Sequence, residues 1–179
     1  EERTINGVQV PTGIMEEERY YFNLKEGVDF NVGEFAGFLF AGDFSGVVEG
    51  HENTITYVSS NVATLSESKI VRVEDTNLNP TNPARDLTFT KGSALFETLT
   101  STAEIKNINL DATFSNDPII VRNHALIAGL AIYNNGKISY VNLTKFKNMF
   151  NGNISDKERT VMSYSGIVSI NQGNASIKN

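Results

Sequence analysis

Cysteine and tryptophan are absent from the 179-residue sequence, and histidine occurs only at His51 and His124. Without cysteine the chain has neither a disulfide framework nor a thiolate metal site. The two histidines lie outside any His-Glu-x-x-His motif, which argues against a catalytic zinc site built from a histidine pair. The sequence also lacks a glycine-rich phosphate loop, a Gly-x-Ser-x-Gly nucleophile motif and any run of about 18 apolar residues. The sequence therefore lacks the usual motifs of zinc hydrolases, of serine hydrolases and of nucleotide-binding enzymes, and it lacks the apolar run of a transmembrane helix.

The net charge of −6 argues against duplex nucleic acid or an anionic membrane as the main partner, since both favour a surplus of Lys and Arg. Residues 1–90 carry 15 acidic and 6 basic side chains, a net of −9, whereas residues 91–179 carry 6 acidic and 9 basic, a net of +3. Two differently solvated halves explain this asymmetry, and an electrostatic partner site is the alternative.

Short segments that alternate β-branched and polar residues predict strands through most of the chain. Asparagine is abundant, and it tolerates the left-handed conformation of tight turns. In residues 11–21, Thr12 is a candidate N-cap of a short helix, with an irregular polar loop as the alternative. Pro80 and Pro83 exclude a regular helix and a central strand around them, so we expect an exposed loop excursion over residues 74–91.

A phrase recurs in the second half of the sequence. "GLAIYNNGKISYVNL" begins at Gly129, "GIVSINQGNASIKN" begins at Gly166, and "ALFETLTSTAEIKNINL" begins at Ala94. The turn within the phrase varies in length while the strands on either side persist, which is typical of stacked repeats. The repeat therefore predicts parallel strands that stack along an axis, with an antiparallel sandwich of similar hairpins as the alternative.

Stacking places equivalent residues of the phrases in columns. The expected interior columns are Leu95/Leu130/Ile167 and Ile105/Ile138/Ile177. The expected amide ladders at the corners are Asn134/Asn171 and Asn107/Asn179.

The phrases beginning at Gly129 and Gly166 resemble GLUG repeats, which occur in bacterial surface proteins. Residues 20–58 resemble the first coil of the same proteins, and Phe44, Gly46, Gly50 and Ile55 fit the phrase found there. Glu49 replaces the usual Asp of that phrase, and "HEN" replaces its glycine-containing turn. Similar segments also precede the catalytic domain of streptococcal immunoglobulin A1 metalloproteases.

This resemblance implies an all-β fold, a right-handed parallel β-helix (solenoid), on an exported or surface-anchored bacterial protein of the adhesin type. We expect one domain over residues 1–179. Its expected parts are an N-terminal cap or entry segment (1–30), the first coils (31–73), the loop excursion (74–91) and the GLUG-like coils (92–179). Because the last phrase stops midway at Asn179, we also expect the chain to be a piece of a longer parent protein.

The expected function is a non-catalytic binding or spacer module whose partner is a host or matrix protein or a glycan. One alternative is a non-catalytic N-terminal region of a large secreted metalloprotease. The other is a carbohydrate-active enzyme, which would need paired carboxylates across a groove. The sequence shows no such pair, and we expect no catalytic residues.

Two groups of residues are weak candidates for ligand binding. Asp43, Glu49 and Glu52 form an oxygen-rich set that is a candidate for Ca²⁺, although no Asp-x-Asp-x-Asp-Gly loop occurs, and no other cofactor is expected. His51 lies in a polar turn beside them. Tyr133, Tyr140 and Tyr164 are candidates for stacking against sugars, since tyrosine combines an apolar ring with a polar tip.

Overall fold

The computed structural model describes residues 2–5, 8–11, 14–16, 19–74, 84–114, 120–121, 124–149, 151–152 and 162–178. Within these ranges the chain forms strands and no helix, so the expected all-β class is confirmed. No described helix is long and apolar enough to cross a membrane. The strands are β1 (Glu2–Ile5), β2 (Val8–Pro11), β3 (Ile14–Glu16), β4 (Arg19–Asn23), β5 (Phe30–Ala36), β6 (Phe38–Phe44), β7 (Val47–Glu49), β8 (Thr54–Asn61), β9 (Ala63–Glu74), β10 (Ala84–Leu99), β11 (Glu104–Phe114), β12 (Ile120–Val121), β13 (Ala125–Ala128), β14 (Ala131–Asn134), β15 (Lys137–Asn148), β16 (Asn151–Gly152), β17 (Met162–Ser165), β18 (Val168–Asn171) and β19 (Ser176–Lys178).

Most strands pair in parallel with the equivalent strand of the next repeat. In the first ladder β6, β10, β14 and β18 lie side by side, and Phe96 faces Phe40 on one side and Ala131 on the other. Ala131 in turn faces Val168. The predicted parallel pairing within residues 92–179 is confirmed, and the antiparallel sandwich is wrong.

Two further ladders share the strands β11 and β15. The second ladder joins β4, β7, β11, β15 and β19 through the first halves of the two long strands. The third joins β5, β8, β11 and β15 through their second halves. Residues 50–53 form the turn between β7 and β8, and we call this position, with the neighbouring residues Asn107 and Tyr140, the corner. Each long strand therefore contributes to two ladders and passes the corner on the way.

The first predicted interior column is confirmed. The backbone N–H of Phe96 donates to the carbonyl of Leu130 (2.8 Å), and that of Leu130 donates to the carbonyl of Ile167 (2.9 Å). Leu95 and Leu130 are buried, and the half-buried Ile167 packs against the same cluster.

In the second column Ile105, Ile138 and Ile177 are in register as predicted. Ile105 and Ile138 are buried, but Ile177 is 43% exposed, so the expectation of an interior position is wrong for it. The reason is that β19 is the last strand of its ladder among the described residues.

The predicted Asn134/Asn171 ladder is confirmed, because the Asn134 side-chain amide donates to Asn171 Oδ1 at 2.7 Å. The other expected amide ladder includes Asn179, which lies outside the described residues.

The expected loop excursion is part of an antiparallel hairpin. β9 pairs with the first part of β10, so a loop over 84–91 is wrong, and residues 75–83 lie outside the described ranges. Leu87 and Phe89 alternate with exposed residues, and their buried side chains belong to a second hydrophobic cluster. The buried members of this cluster are Phe38, Leu65, Leu87, Phe89, Ala94, Leu126, Ala128 and Ile132. Packing of these apolar side chains therefore stabilises the hairpin against the sheet that contains β13 and β14.

The N-terminal part also differs from the expectation. Residues 14–16 and 19–23 form neither a helix nor an irregular loop, because β3 and β4 are an antiparallel pair, and Thr12 lies outside the described residues. Tyr21–Asn23 also pair with Val47–Glu49, so the second ladder begins before residue 30. Pairing with a distant strand decides the structure here over local propensity.

Strands β13 and β14 are covered on both faces of their sheet. Ala131 belongs to the main hydrophobic cluster, whereas the adjacent Ile132 belongs to the cluster beneath the hairpin. A strand covered on both faces needs apolar residues at consecutive positions. This explains the continuous apolar run over residues 125–132.

Candidate functional site

A groove of about 520 Å³ lies at the corner. It is lined by residues of three successive repeats, from the turn after β7 and from the middle of β11 and β15. They are Glu52, Asn107, Ile108, Asn109, Tyr140 and Asn142. We call this site the corner groove.

The backbone is strained at the corner. Four non-glycine residues of the described chain have a positive φ, namely His51 (52°), Glu52 (62°), Asn107 (56°) and Tyr140 (53°), and all four lie here. This conformation costs an L-residue about 1–2 kcal/mol, and asparagine tolerates it better than tyrosine does. Such strain persists only where the surroundings enforce it, and it clusters at functional sites.

Close approach of the backbone explains two glycines near the corner. A Cβ on Gly46 would lie 2.6 Å from the carbonyl oxygen of Tyr20, and one on Gly50 would lie 2.4 Å from that of Asn107. Neither distance is compatible with a side chain, so these positions require glycine.

A row of amides crosses the groove. Asn109 and Asn142 are paired in register on neighbouring strands, and Asn142 Nδ2 donates to Asn109 Oδ1 at 3.1 Å. Asn109 Nδ2 in turn donates to the backbone carbonyl of Glu52 at 2.5 Å. A carboxamide has two donors and two acceptor lone pairs, so these bonds leave hydrogen-bonding capacity for a ligand.

Tyr140 supplies an aromatic surface at the groove. It is 61% exposed, whereas Ile108, which also lines the groove, is 1% exposed. Residues on either side of Tyr140 are held by the pairing of β15 with β11, which fixes the backbone from which the ring projects. An exposed phenol of this kind offers a flat apolar face and one hydroxyl.

Glu52 is the one charged residue among those that line the groove. The neighbouring Glu49 is engaged elsewhere, since its Oε1 accepts from Asn107 Nδ2 (2.8 Å) and from the His51 backbone N–H (3.0 Å). Burial opposes ionisation of Glu49, but these hydrogen bonds and the charges of Lys106 and His51 together lower its pKa below 4.5. Lys106 Nζ lies 3.5 Å from Glu49 Oε2 and is paired there.

The structure does not bring the candidate calcium ligands together. Asp43, Glu49 and Glu52 line three different grooves. Across the described part of the chain, no group of three or more His, Cys, Asp or Glu side chains is placed to hold a metal ion. His51 is exposed, and its Nε2 lies 2.6 Å from Asn23 Oδ1.

The three candidate tyrosines lie on different strands. Tyr140 belongs to β15, whereas Tyr133 and Tyr164 belong to β14 and β17 of the other large sheet. Tyr133 is engaged already, because Lys69 Nζ lies 4.2 Å from its ring centroid and its hydroxyl contacts the Gln172 side chain. Tyr140 is the candidate that lines the corner groove.

Sequence analysis missed Asn109 and Asn142. The signal is present in the aligned phrases "KNINL" and "SYVNL", which place Asn109 above Asn142 and Asn107 above Tyr140. The structure adds that this part of the phrase lines a groove.

Fold and site together define an all-β protein with parallel ladders and a polar surface groove at one corner. The chain matches no family model, no curated protein and no solved structure. Its resemblance to GLUG repeats stays a prediction from the sequence.

Proposed function

We propose that the ladders are the faces of a right-handed parallel β-helix and that the successive repeats are its coils. The support is the spacing of the strand pairs, since the phrases beginning at Ala94, Gly129 and Gly166 lie in register in the first ladder. Ala131 follows Phe96 by 35 residues and Val168 follows Ala131 by 37, and parallel partners at such similar spacings are the expected arrangement of stacked coils.

On this scaffold we propose a non-catalytic binding module of an exported, cell-surface bacterial protein of the adhesin type. The observation that carries the proposal is the corner groove, which combines an exposed aromatic ring, a row of amides and a single carboxylate. Such polar groups orient a ligand, while the pairing of β11 with β15 fixes the backbone that carries the amides and the ring. The partner is a host or matrix protein or a glycan.

A binding role is favoured over glycoside hydrolysis by the composition of the groove. Hydrolysis by the common mechanisms needs two carboxyl groups about 5–9.5 Å apart. Glu52 is the one acid that lines the groove, and Asp43 and Glu49 line different grooves. The groove can therefore hold a ligand but lacks the second acid for cleavage.

The test is binding of the immobilised chain to extracellular-matrix proteins and glycans, measured by surface plasmon resonance. We expect binding to at least one of them, weakened about tenfold by Tyr140→Ala. Tyr164→Ala is the matched control, because Tyr164 is also exposed (44%) but does not line the groove. Equal binding by the two variants, or binding by neither the variants nor the parent chain, contradicts the proposal. Release of reducing ends from a polysaccharide, lost in Glu52→Gln, would instead indicate an enzyme.

A further inference from the structure

We propose that the corner groove binds a linear, uncharged glycan that lies along the direction in which the strands stack. This inference rests on the proposed binding function and assigns its ligand class. Three features of the groove carry it: the spacing of its amides, the exposed ring and the absence of cationic side chains.

The amides repeat at the spacing of the strands. Asn109 and Asn142 occupy equivalent positions on adjacent parallel strands, and the bond to the Glu52 carbonyl continues the row toward the preceding turn. Adjacent strands lie about 4.8 Å apart. That distance is close to the length of one pyranose unit in an extended chain. Successive sugars can therefore meet equivalent amides, which requires the chain to run across the strands.

Amide and ring together match the two surfaces of a sugar. The hydroxyls of a pyranose donate and accept hydrogen bonds, as the carboxamides of Asn109 and Asn142 do. Its C–H face is apolar and packs on an exposed aromatic ring such as that of Tyr140. A ligand without hydroxyls would leave the amides unpaired, and one without an apolar face would not use the ring.

Charge selects against acidic glycans. None of the six residues that line the groove is cationic, and the carboxylate of Glu52 is exposed. Lys106, which precedes the groove residue Asn107, is paired with Glu49. A uronate or sulfate in the groove would face Glu52 without a compensating cation, which is unfavourable even where solvent weakens the repulsion.

The experiment is isothermal titration calorimetry of the whole chain with uncharged oligosaccharides. The probes are linear hexamers of β-1,4-, β-1,3- and α-1,4-linked glucose and of β-1,4-linked N-acetylglucosamine, with hexagalacturonate as the charged comparison. We expect at least one uncharged hexamer to bind, its dimer to bind more weakly, and hexagalacturonate to show no binding. Failure of every uncharged hexamer to bind, or equal binding of hexagalacturonate, overturns the proposal.

Three variants locate the binding. Tyr140→Asn and Asn142→Ala should each weaken hexamer binding about tenfold, whereas Tyr164→Asn should leave it unchanged. Asparagine is used at position 140 because it tolerates the left-handed backbone, so a loss of binding does not come from unfolding. A separate variant, Glu52→Gln, tests the charge argument: it removes the carboxylate and should admit hexagalacturonate. Binding that is indifferent to Tyr140→Asn and Asn142→Ala places the ligand elsewhere and overturns the assignment.

The same hexamers separate this inference from the function on which it rests. If the chain binds a matrix surface through Tyr140 but no uncharged hexamer binds or competes, the glycan assignment is wrong and the binding function stands. If the chain binds no surface and no hexamer, both are wrong.

Discussion

Tyr140 combines an unfavourable backbone with an exposed side chain. Its φ of 53° is unusual for an aromatic residue, and its ring is 61% exposed, so burial of the ring does not compensate for the strain. The equivalent position one repeat earlier is occupied by Asn107, which suits this conformation better. We therefore attribute the tyrosine at this position to the ligand contact proposed for its exposed side chain.

Tyr140→Asn should raise the free energy of unfolding by about 0.5–1 kcal/mol, because it relieves part of the left-handed strain while removing little buried area. Urea titration followed by circular dichroism measures the change. Tyr164→Asn, at an exposed position without a positive φ, should show no gain. A loss of stability in Tyr140→Asn would mean that the ring is held by packing.

Leu130→Ala should lower the free energy of unfolding by about 2–5 kcal/mol, since Leu130 is fully buried in the main cluster. Glu67→Ala, at a side chain that is 82% exposed, should change it by less than about 0.5 kcal/mol. Denaturant titration compares the two. Equal losses would show that the inside and outside of the ladders have been exchanged.

Glu49 makes a pH-dependent contribution to stability. Its pKa is lowered in the folded chain, so its contribution is fully present above the unfolded value of 4.5 and is lost as the pH falls through the folded value. Between about pH 7 and about pH 3 the parent chain should lose more stability than Glu49→Gln, which cannot titrate. If the parent chain and Glu49→Gln lost the same free energy of unfolding between these pH values, Glu49 would not be the group responsible.

At the scale of elements, one buried carboxylate on β10 forms hydrogen bonds to both β9 and β6, in addition to the hydrophobic packing beneath the hairpin. Glu97 on β10 is 2% exposed and accepts from the backbone N–H of Gly42 on β6 (2.7 Å). It also accepts from the hydroxyl (2.9 Å) and the backbone N–H of Ser66 on β9. Three strands therefore meet at a single side chain.

Glu97→Ala should lower the free energy of unfolding by about 1–3 kcal/mol, because it removes the acceptor of three partly buried hydrogen bonds. Glu97→Gln keeps one acceptor oxygen and should cost less. Hydrogen exchange locates the effect, which should be largest at the amides of Gly42 and Ser66. An unchanged exchange rate at both amides in Glu97→Ala would show that Glu97 does not hold the hairpin.

The repeat phrase made the ladders predictable, because Leu95, Leu130 and Ile167 hold the same place in phrases that follow at similar spacings, 35 and 37 residues, and this indicates the register. The hairpin could not be predicted in the same way. The alternation around Leu87 and Phe89 indicates a strand, but its partner β9 and the sheet face beneath it follow from tertiary packing. Pro80 and Pro83 lie between the two strands in the sequence, and the loop expected from them extends too far, into residues 84–91. The corner groove was out of reach for a related reason, since the sequence does not tell which corner positions face a cavity.

At the scale of the whole molecule, most pairing joins distant parts of the chain. The partners in the second ladder, such as Glu104 and Lys137, are separated by a complete repeat. Chains dominated by such contacts must close long loops before they gain stabilising interactions, and they fold slowly. We expect refolding in about milliseconds to seconds, measured by stopped-flow circular dichroism after dilution from urea. Refolding in microseconds would imply that local structure dominates.

Burial of β13 on both faces restricts which substitutions this strand can accept. In β8 (Thr54–Asn61), buried positions alternate with less buried ones, so every second residue is open to polar replacement. In β13 (Ala125–Ala128), all four positions are buried, and neighbouring residues face different hydrophobic clusters. In an alignment of homologues, the positions of β8 that accept polar residues would therefore recur at every second residue. In β13 no such alternation would appear, because every position is buried. Deletion of the hairpin would expose the apolar residues of β13 that it covers.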